Sequence, residues 1–343
     1  MKKRTRFWAA LALLGAIHIV LVFPGFFAPY DYSSQNRDLS YAPPSRIHFL
    51  DRGGKFHFRP FVFPVSQDQN VMSEFAEDSS RAYPIRFLVQ GAPYSMLGIF
   101  TASRHLFDVQ TPAKIFLMGT DEFGRDEFSR VLYGGRISLL AGMVATFISL
   151  ALGTVLGTLA GFYRGWLDGL LMRGVELFLA LPWLYLLLTV RAALPLHIST
   201  AATFLLLAAV LGMVGWARPA RLMRGIVLSA KERNHVRSAR GFGASDFYLL
   251  RRHIAPQLSS VLLTLAALLI PQYVLAEVTL SFLGLGVSEP VPSWGNLLAC
   301  LQQYSVLSSY WWMLFPTLIL VPLFAGYQIL AGELARRSSA AAY

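Results

Sequence analysis

The sequence predicts an all-α polytopic membrane protein, and its composition and the arrangement of its apolar residues support this fold class. Of 343 residues, 55% are hydrophobic and only 14% are charged, whereas a soluble domain carries about a quarter charged residues. The apolar residues are gathered into runs long enough to cross a hydrocarbon core of about 30 Å. Lipid offers no hydrogen bonds to the backbone, so these runs must be helical, and none alternates as the strands of a membrane β-barrel do.

Six candidate membrane spans follow from these runs. They extend approximately over Phe7–Phe27, Ile137–Phe162, Leu170–Leu194, Ala201–Trp216, Leu258–Phe282 and Trp311–Leu334. The first follows a basic N-terminus, as a signal peptide would, but it is long and no small-x-small cleavage site follows it. We therefore expect it to remain as a membrane helix.

The distribution of lysine and arginine predicts the orientation of the spans, because short cytoplasmic connections carry an excess of both. With the N-terminus inside, the inside segments hold nine such residues between Arg218 and Arg252, and also Arg336 and Arg337. The outside connection from Leu285 to Tyr310 holds none. Both termini are therefore predicted to be cytoplasmic. This pattern accounts for the net charge of +11 without a nucleic-acid partner.

The segment over residues 29–116 is too long for an ordinary loop. It contains aromatic and β-branched stretches, Phe56–Phe63 and Ile85–Val89, separated by glycine and proline pairs. These features predict a small β-containing extracytoplasmic domain. The predicted organisation is then an N-terminal helix over residues 1–28, this domain over 29–116, a transmembrane domain over 117–337 and a tail over 338–343.

The sequence lacks the motifs of an enzyme or of a metal protein. It has no Gly-x-x-x-x-Gly-Lys-Ser/Thr loop for ATP, no His-Glu-x-x-His and no Gly-x-Ser-x-Gly. Its single cysteine, Cys300, allows no disulfide within the chain and no cysteine cluster, and is expected to be a small buried residue. We predict no catalytic residue, cofactor or metal, and a membrane enzyme is poorly supported.

The most informative stretch is residues 231–256, which we call the hinge loop. Glycines near Gly243 predict the end of one short helix, and Ser245 or Asp246 is placed to cap the next. Phe247, Leu250 and Ile254 are spaced as one face of that helix, and Pro256 is expected to interrupt it before the fifth span. Such a helix pair could rest on lipid or fit a groove on a partner protein, and the pattern favours neither.

The hinge loop resembles the signature of binding-protein-dependent ABC permeases, which reads Glu-Ala-Ala, three residues, Gly, nine residues, Ile-x-Leu-Pro. Arg237-Ser238-Ala239, Gly243 and His253-Ile254-Ala255-Pro256 occupy these places. The closing His-x-x-Pro is common in the peptide/nickel branch. Arg237 stands where the family has an acid, and Ala255 where it has leucine.

Two further stretches resemble the same branch. Residues 119–139 are similar to the block that precedes the family's second span. Residues 281–286, followed by 290–295, are similar to its outer loop. Together the three motifs extend the resemblance over about residues 117–337.

The resemblance implies the type I ABC importer permease architecture and a location in the bacterial inner membrane. It implies a second homologous permease, two cytoplasmic ATPase subunits, an extracytoplasmic solute-binding protein and peptides or similar small solutes as cargo. The matching positions, Arg237, Ala239, Gly243, Ala244, Asp246, His253 and Pro256, would then form the ATPase-coupling loop. The change from acid to Arg237 leaves open which ATPase docks.

Two other groups of charged residues stand out. Glu277 lies within the fifth predicted span, where a carboxylate is costly and often functional. It is a candidate for the translocation path, although pairing across the bundle is the more ordinary role. Asp121, Arg125, Asp126 and Arg130 are expected to form a structural ion-pair set. A secondary transporter is the main alternative for the whole chain, and it would require an inverted repeat that is not evident here.

Overall fold

The computed structural model describes residues 2–51, 53–67, 75–78, 80–96, 98, 100–195 and 199–340. Thirteen α-helices are assigned within these ranges, joined in places by short 3₁₀ turns. They are α1 (Lys2–Val22), α2 (Pro24–Phe27), α3 (Glu127–Tyr163), α4 (Gly165–Ala180), α5 (Trp183–Ala192), α6 (Thr200–Gly215), α7 (Ala217–Lys231), α8 (Asn234–Gly241), α9 (Asp246–Leu249), α10 (Ala255–Phe282), α11 (Trp294–Ala299), α12 (Tyr304–Ser309) and α13 (Phe315–Ala340).

The helices that are long and apolar enough to cross a membrane correspond to the predicted spans. Within the described ranges these are Thr5–Val22, Glu127–Tyr163, Asp246–Phe282 and Trp311–Arg337. Two bent pairs, α4 with α5 and α6 with α7, also qualify when each pair is taken as one span. The prediction of a helical polytopic membrane protein is confirmed, with four spans or up to six.

Several predicted boundaries are wrong, and proline explains two of them. The first helix ends at Val22 rather than Phe27, because Pro24 begins a separate short helix. The third predicted span is not one helix, since α4 and α5 meet at a 92° bend next to Pro182, which has an extended backbone. The fourth predicted span, Ala201–Trp216, agrees with α6 (Thr200–Gly215), and α7 follows it after a bend of 44°. Helix α13 continues into the predicted tail as far as Ala340, and residues 341–343 lie outside the described residues.

The described chain forms two compact units. The first comprises Met1–Leu14, Leu139–Leu280 and Pro322–Tyr343, and the second comprises Gly15–Ser138 and Ser281–Val321. The first unit contains the hinge loop and the bent helix pairs. The domain boundaries predicted at residues 28, 116 and 337 stay a prediction.

In the first unit, α3 packs against α7 through a stripe of glycines spaced four residues apart. A Cβ atom added to Gly153, Gly157 or Gly161 would lie only 2.3–2.8 Å from the nearest atom of α7, and the shortest distance is from Gly157 to the Ala220 carbonyl oxygen. Small residues at this spacing let helix backbones approach closely within a membrane. Helix α7 is also joined to α4 by a two-fold ion pair, in which Arg224 donates to the two carboxylate oxygens of Asp168 at 2.5 and 2.7 Å.

Among its described residues, the second unit contains three small antiparallel sheets. The strands are β1 (His48–Leu50), β2 (Phe56–Val62), β3 (Val65–Gln67), β4 (Phe75–Glu77), β5 (Tyr83–Pro84), β6 (Arg86–Met96) and β7 (Phe100–Asp108). They pair as β1-β2-β5, β3-β4 and β6-β7. The predicted strands at Phe56–Phe63 and Ile85–Val89 are confirmed as β2 and the beginning of β6. A core that includes Val62, Ile85 and Phe107 packs them together.

A buried ion network holds the start of α3 to residue 289 in the same unit. Arg125 donates to Asp121 and to Glu289 at 2.6 Å each. Arg130 lies 3.3 Å from Asp121 and donates to Glu289 at 2.7 Å. Three members of the predicted ion-pair set, Asp121, Arg125 and Arg130, are therefore paired, but Glu289, the acid that joins both arginines, was missed.

Asp126 lies beside this network but makes no ion pair among the described residues. Its Oδ2 accepts hydrogen bonds from the backbone N–H and the hydroxyl of Ser129, while its Oδ1 has no hydrogen-bond partner within the described part of the chain. Burial, and secondarily the charge of Asp121, raises the pKa of Asp126 to about 7. This carboxyl group therefore titrates near neutral pH.

The segment after Glu289 is fixed by a capping box at the start of α11. Ser293 accepts from the N–H of Asn296, whose side chain accepts from the N–H of Ser293. The Asn296 amide also donates to the carbonyls of Val287 and Val291. Trp294 is fully buried and donates to the Val131 carbonyl at 3.0 Å. Nearby, half-buried Cys300 has its thiol pKa raised to about 12 by burial, so this thiol stays neutral.

Candidate functional site

The hinge loop begins with helix α8, which has one buried and one exposed side. Val236 is buried and Ala239 is half-buried, while Arg237 and Arg240 are exposed. The buried side belongs to a core formed with the end of α3 and with α7, including Phe162, Met223, Val227 and Ala230. The inner side of the hinge loop therefore contacts protein in this unit.

The turn after α8 is a Schellman motif centred on Gly243, the glycine singled out from the sequence. The N–H of Ala244 donates to the carbonyl of Ala239 at 3.1 Å, and the N–H of Gly243 donates to that of Arg240 at 3.0 Å. Gly243 has φ +85°, a left-handed conformation that glycine adopts without steric cost. A Cβ atom at Gly243 would meet nothing within 4 Å. Glycine is therefore needed for its backbone conformation and not for space.

Ala239 and Ala244 complete this turn by packing on the same buried core. A contact between these two positions of the motif commonly accompanies its hydrogen bonds. The small residues at positions 239, 243 and 244 thus have a local physical reason: they allow the chain to reverse direction close to α7.

Helix α9 starts as predicted, with Ser245 as its cap. The Ser245 hydroxyl accepts from the N–H of Tyr248, which is the usual capping arrangement. Asp246 instead pairs across the turn with Arg240, at 2.8 Å. Both side chains are about half exposed, so this pair contributes no more than about 1 kcal/mol. It nevertheless links α8 to α9 across the hinge.

The prediction that Pro256 interrupts the helix is wrong. Residues Asp246–Phe282 form one continuous run, in which residues Leu250–Ile254 make a π-helical turn. The N–H of Ala255 donates to the carbonyl of Leu250, five residues back. Proline cannot donate a backbone hydrogen bond, and its ring clashes with the preceding turn of a regular α-helix. A wider turn of this kind accommodates Pro256 without ending the helix. Helix α10 therefore extends directly from the hinge.

The π-helical turn also changes which residues face the core. Leu249, Ile254 and Leu258 are buried, at spacings of five and then four residues. Phe247, which the regular 3.6-residue period places with Leu250 and Ile254, is instead 72% exposed. Phe247 nevertheless lines one apolar cleft together with Leu250 and Ile254, so the predicted face is present, although Phe247 itself is not covered. His253 is half-buried, and its ring lies 5.6 Å from those of Tyr248 and His235.

The outer side of the hinge loop carries aromatic and basic side chains. Phe242 is 92% exposed, and Tyr248 is half exposed beside Phe247. A cleft of about 380 Å³ opens next to them and is lined by residues that include Lys231, Arg237 and Arg240. Large exposed apolar groups with charged neighbours are typical of protein interfaces. Phe242 was missed from the sequence, although an aromatic residue between two glycines of a hinge was a signal for it.

The structure thus brings together all seven residues predicted for this site and separates Glu277 from them. Arg237, Ala239, Gly243, Ala244, Asp246, His253 and Pro256 lie in or next to the two turns of the hinge loop. Glu277 lies 21 residues beyond Pro256 on the same helix, about 30 Å away at 1.5 Å per residue. It is fully buried.

Comparison with known proteins gives a consistent result. A family model described as "Binding-protein-dependent transport system inner membrane component" matches residues 153–339. A Brucella suis (biovar 1, strain 1330) protein named as a peptide transport system permease is 38% identical over 225 residues, covering 66% of this chain and 73% of that protein.

Two further relatives match shorter stretches. The dipeptide transport system permease DppC of Bacillus subtilis (strain 168) is 35% identical over 204 residues, covering 60% of this chain and 62% of its own. The glutathione transport system permease GsiD of Escherichia coli O6:K15:H31 is 43% identical over 180 residues, or 52% and 57%. A chain of the inward-facing MetNI methionine ABC transporter superposes with TM-score 0.44 and 17% identity, covering 61% of this chain and 95% of that one. This last similarity is weak.

Proposed function

Because the chain belongs to the family of binding-protein-dependent transport system inner membrane components, we propose that it forms part of a membrane path for peptides or similar small solutes. The chain is a permease subunit of an ABC importer and is not itself the catalytic subunit. Permeases of this kind work with ATPase and binding-protein partners. The names of the three relatives described above, which concern peptides, dipeptides and glutathione, support peptides as the cargo class.

The proposed assembly contains this chain, a second homologous permease, two cytoplasmic ATPase subunits and an extracytoplasmic solute-binding protein. It resides in the bacterial inner membrane, with both termini of this chain in the cytoplasm. The basic residues near Arg224 and Arg252 support this orientation. Lipid surrounds the spans, and no nucleic acid takes part.

The observation that carries the proposed docking role is the two-sided construction of the hinge loop. Its inner side is anchored to α3 and α7 through Val236, Leu249 and Ile254. Its outer side presents Phe242 and Phe247 with no covering protein among the described residues. A lipid-resting helix pair would instead bring its apolar side chains onto one face. Here Val236, Leu249 and Ile254 are buried against protein, while Phe242 is exposed at the turn between the two helices, which favours a knob that fits a groove on a partner ATPase.

The continuous helix beyond the hinge supplies the mechanical step. The run from Asp246 to Phe282 has 37 residues and is therefore about 55 Å long. Closure of the ATP-bound ATPase dimer would push on the hinge loop, and a rod of this length would carry the displacement through the membrane. Phe242 and Phe247 provide the contact, Gly243 sets the angle between α8 and α9, and α10 transmits the motion.

Arg237 determines part of the partner choice in this proposal. It is exposed beside Arg240 in the basic cleft, where the family signature places an acid. We expect the matching ATPase groove to be acidic at this position. Arg237→Glu should therefore weaken docking, more strongly at low salt than at high salt. Arg233→Glu makes the same charge change at an exposed residue outside the cleft and serves as the control.

Glu277 is a candidate for the translocation path that depends on this function. If it acts on the solute, Glu277→Gln should change uptake while the transporter still assembles. Loss of assembly would instead indicate that the buried carboxylate holds the bundle together.

Uptake by the reconstituted transporter tests the proposal. Proteoliposomes that contain this chain with its second permease and ATPases should accumulate a labelled dipeptide only when ATP and the binding protein are both supplied. Uptake that needs an ion gradient and no ATPase would contradict the proposal and support the secondary transporter. The double variant Phe242→Ala/Phe247→Ala should keep its fold but lose ATP-driven uptake.

A further inference from the structure

A cavity lies where the two bent helix pairs of the first unit are interrupted. Its volume is about 300 Å³, and we call it the break cavity. The turn between α4 and α5, at Leu181 and Pro182, forms one wall. The turn between α6 and α7 contributes Arg218, and α10 contributes Gln272 and Tyr273. Interrupted membrane helices are tolerated where the freed backbone lines a cavity, and such places commonly bind solutes.

The break cavity lies level with the middle of the second predicted span, Ile137–Phe162. Tyr273 donates its hydroxyl to Ser149 of α3 at 2.8 Å. Ser149 lies twelve residues after Ile137 and thirteen before Phe162, the two ends of that predicted span, or about 18 and 20 Å from them along the helix axis. Gly215 packs against the same tyrosine, because a Cβ atom there would lie 1.8 Å from the Tyr273 oxygen. The turn that carries Arg218 is therefore at this depth and not in the cytoplasmic loop to which the sequence assigned it.

Arg218 lies at the start of α7 and carries the positive charge of this cavity. No carboxylate forms an ion pair with it among the described residues. Arg224, six residues further along α7, is instead paired with Asp168. Arg218 is exposed and is the one charged side chain among the described residues that line the cavity. A charge at mid-depth is costly unless it faces water or binds an anion, and it marks a functional position by default.

The other walls complement a peptide-like solute. Helix α4 ends in the cavity at Phe178, Leu179 and Ala180, and the last carbonyls of a helix have no partners within it. These carbonyls can accept hydrogen bonds from N–H groups. The guanidinium of Arg218 presents paired donors that match a carboxylate. The cavity therefore combines a carboxylate ligand with acceptors for amide or ammonium groups.

We propose that the break cavity binds the carboxylate of the transported solute through Arg218 at mid-membrane. This inference rests on the proposed function, since it places the solute's path in this cavity. It assigns to Arg218 a role in substrate selection within the membrane, separate from the choice made by the binding protein.

Paired substrates test this role. Uptake of a dipeptide and of the same dipeptide with an amidated C-terminus is measured in proteoliposomes of the complete transporter. The affinity of the isolated binding protein for each dipeptide is measured separately, and the ratio of uptake rates is divided by the ratio of these affinities. We expect a remaining preference for the free carboxylate of about tenfold to a hundredfold, as for a charge-assisted hydrogen bond.

The variants Arg218→Gln and Arg218→Lys should separate charge from geometry. The glutamine variant should lose the remaining preference, and the lysine variant should keep part of it. Arg221→Gln changes a neighbouring exposed arginine of α7 that does not line the cavity, and it should keep the full preference. Basal ATPase activity and the size-exclusion profile confirm that each variant is assembled.

An equal loss of uptake for both dipeptides in Arg218→Gln, or an unchanged preference, would overturn the inference. If the wild-type transporter takes up neither dipeptide, peptide import itself fails, and the cavity is judged by a second measurement. The free dipeptide should then raise the unfolding temperature of the wild-type transporter more than its amide does, and Arg218→Gln should abolish the difference. No such difference in the wild type would refute the cavity as a carboxylate site.

Discussion

Replacing Gly243 by alanine should weaken ATPase docking through backbone strain alone. The φ of +85° lies in a region that costs an L-residue about 1–2 kcal/mol, and the added methyl group meets nothing within 4 Å. The two hydrogen bonds of the turn, at 3.0 and 3.1 Å, hold this conformation in the docked loop. If the undocked loop of the variant moves out of the left-handed conformation to relieve this strain, its affinity for the ATPase falls by about 5-fold to 30-fold.

The assay is the affinity of the purified permease pair in nanodiscs for its ATPase, with wild type and variants compared side by side. Gly241→Ala is the matched control, because Gly241 is the last residue of α8, is not in the left-handed region and also has open space around it. Alanine is preferred to glycine in a helix by about 1 kcal/mol, so this control should bind as well as wild type. Gly243→Asn should fall between, since asparagine tolerates left-handed backbone. Equal affinities for Gly243→Ala and Gly241→Ala would refute the reasoning.

Three further predictions concern single side chains. Ser245→Ala removes the cap of α9 and should destabilise the hinge loop by about 1 kcal/mol, seen as faster amide exchange there with unchanged exchange in the second unit. Glu289→Gln removes the charge that pairs with two buried arginines. The free energy of unfolding should fall by about 1–3 kcal/mol, a range that allows for the half-exposed glutamate, and the unfolding temperature should be lower. Glu122→Gln, at an exposed residue, is the control. Asp126 has a native pKa raised to about 7, so the native state binds more protons than the unfolded state and stability falls as pH rises from about 4 to about 7. Asp126→Asn should remove up to about 4 kcal/mol of that decline, and an equal decline in variant and wild type would contradict the assignment.

The sequence was sufficient to predict the spans and the hinge because both depend on local properties. Apolar runs must be helices in lipid, and Gly243 and Ser245 determine their own backbone conformation and cap whatever surrounds them. The resemblance to the permease signature predicts the seven site residues in one loop, where the structure has them.

The features that the sequence did not reveal depend on longer-range contacts or on departures from a regular period. The π-helical turn before Pro256 was missed, because a regular 3.6-residue period cannot anticipate it. Glu289 was missed because it reaches Arg125 and Arg130 from more than 150 residues away along the chain. Arg218 was placed in a cytoplasmic loop because positive charge usually marks that side. Only the packing of the helices shows that Arg218 lines the same cavity as Tyr273.

The most direct test of the central claim is site-specific crosslinking from the exposed tip of the hinge loop. A photo-crosslinking residue at Phe247 of the assembled transporter should capture the ATPase subunit, and the same residue at Phe58, which is 95% exposed in the second unit, should not. Addition of ATP should change the yield at Phe247 as the ATPase dimer closes. Capture of the ATPase from Phe58, or no ATPase captured from Phe247, would contradict the proposal that this loop couples the permease to ATP hydrolysis.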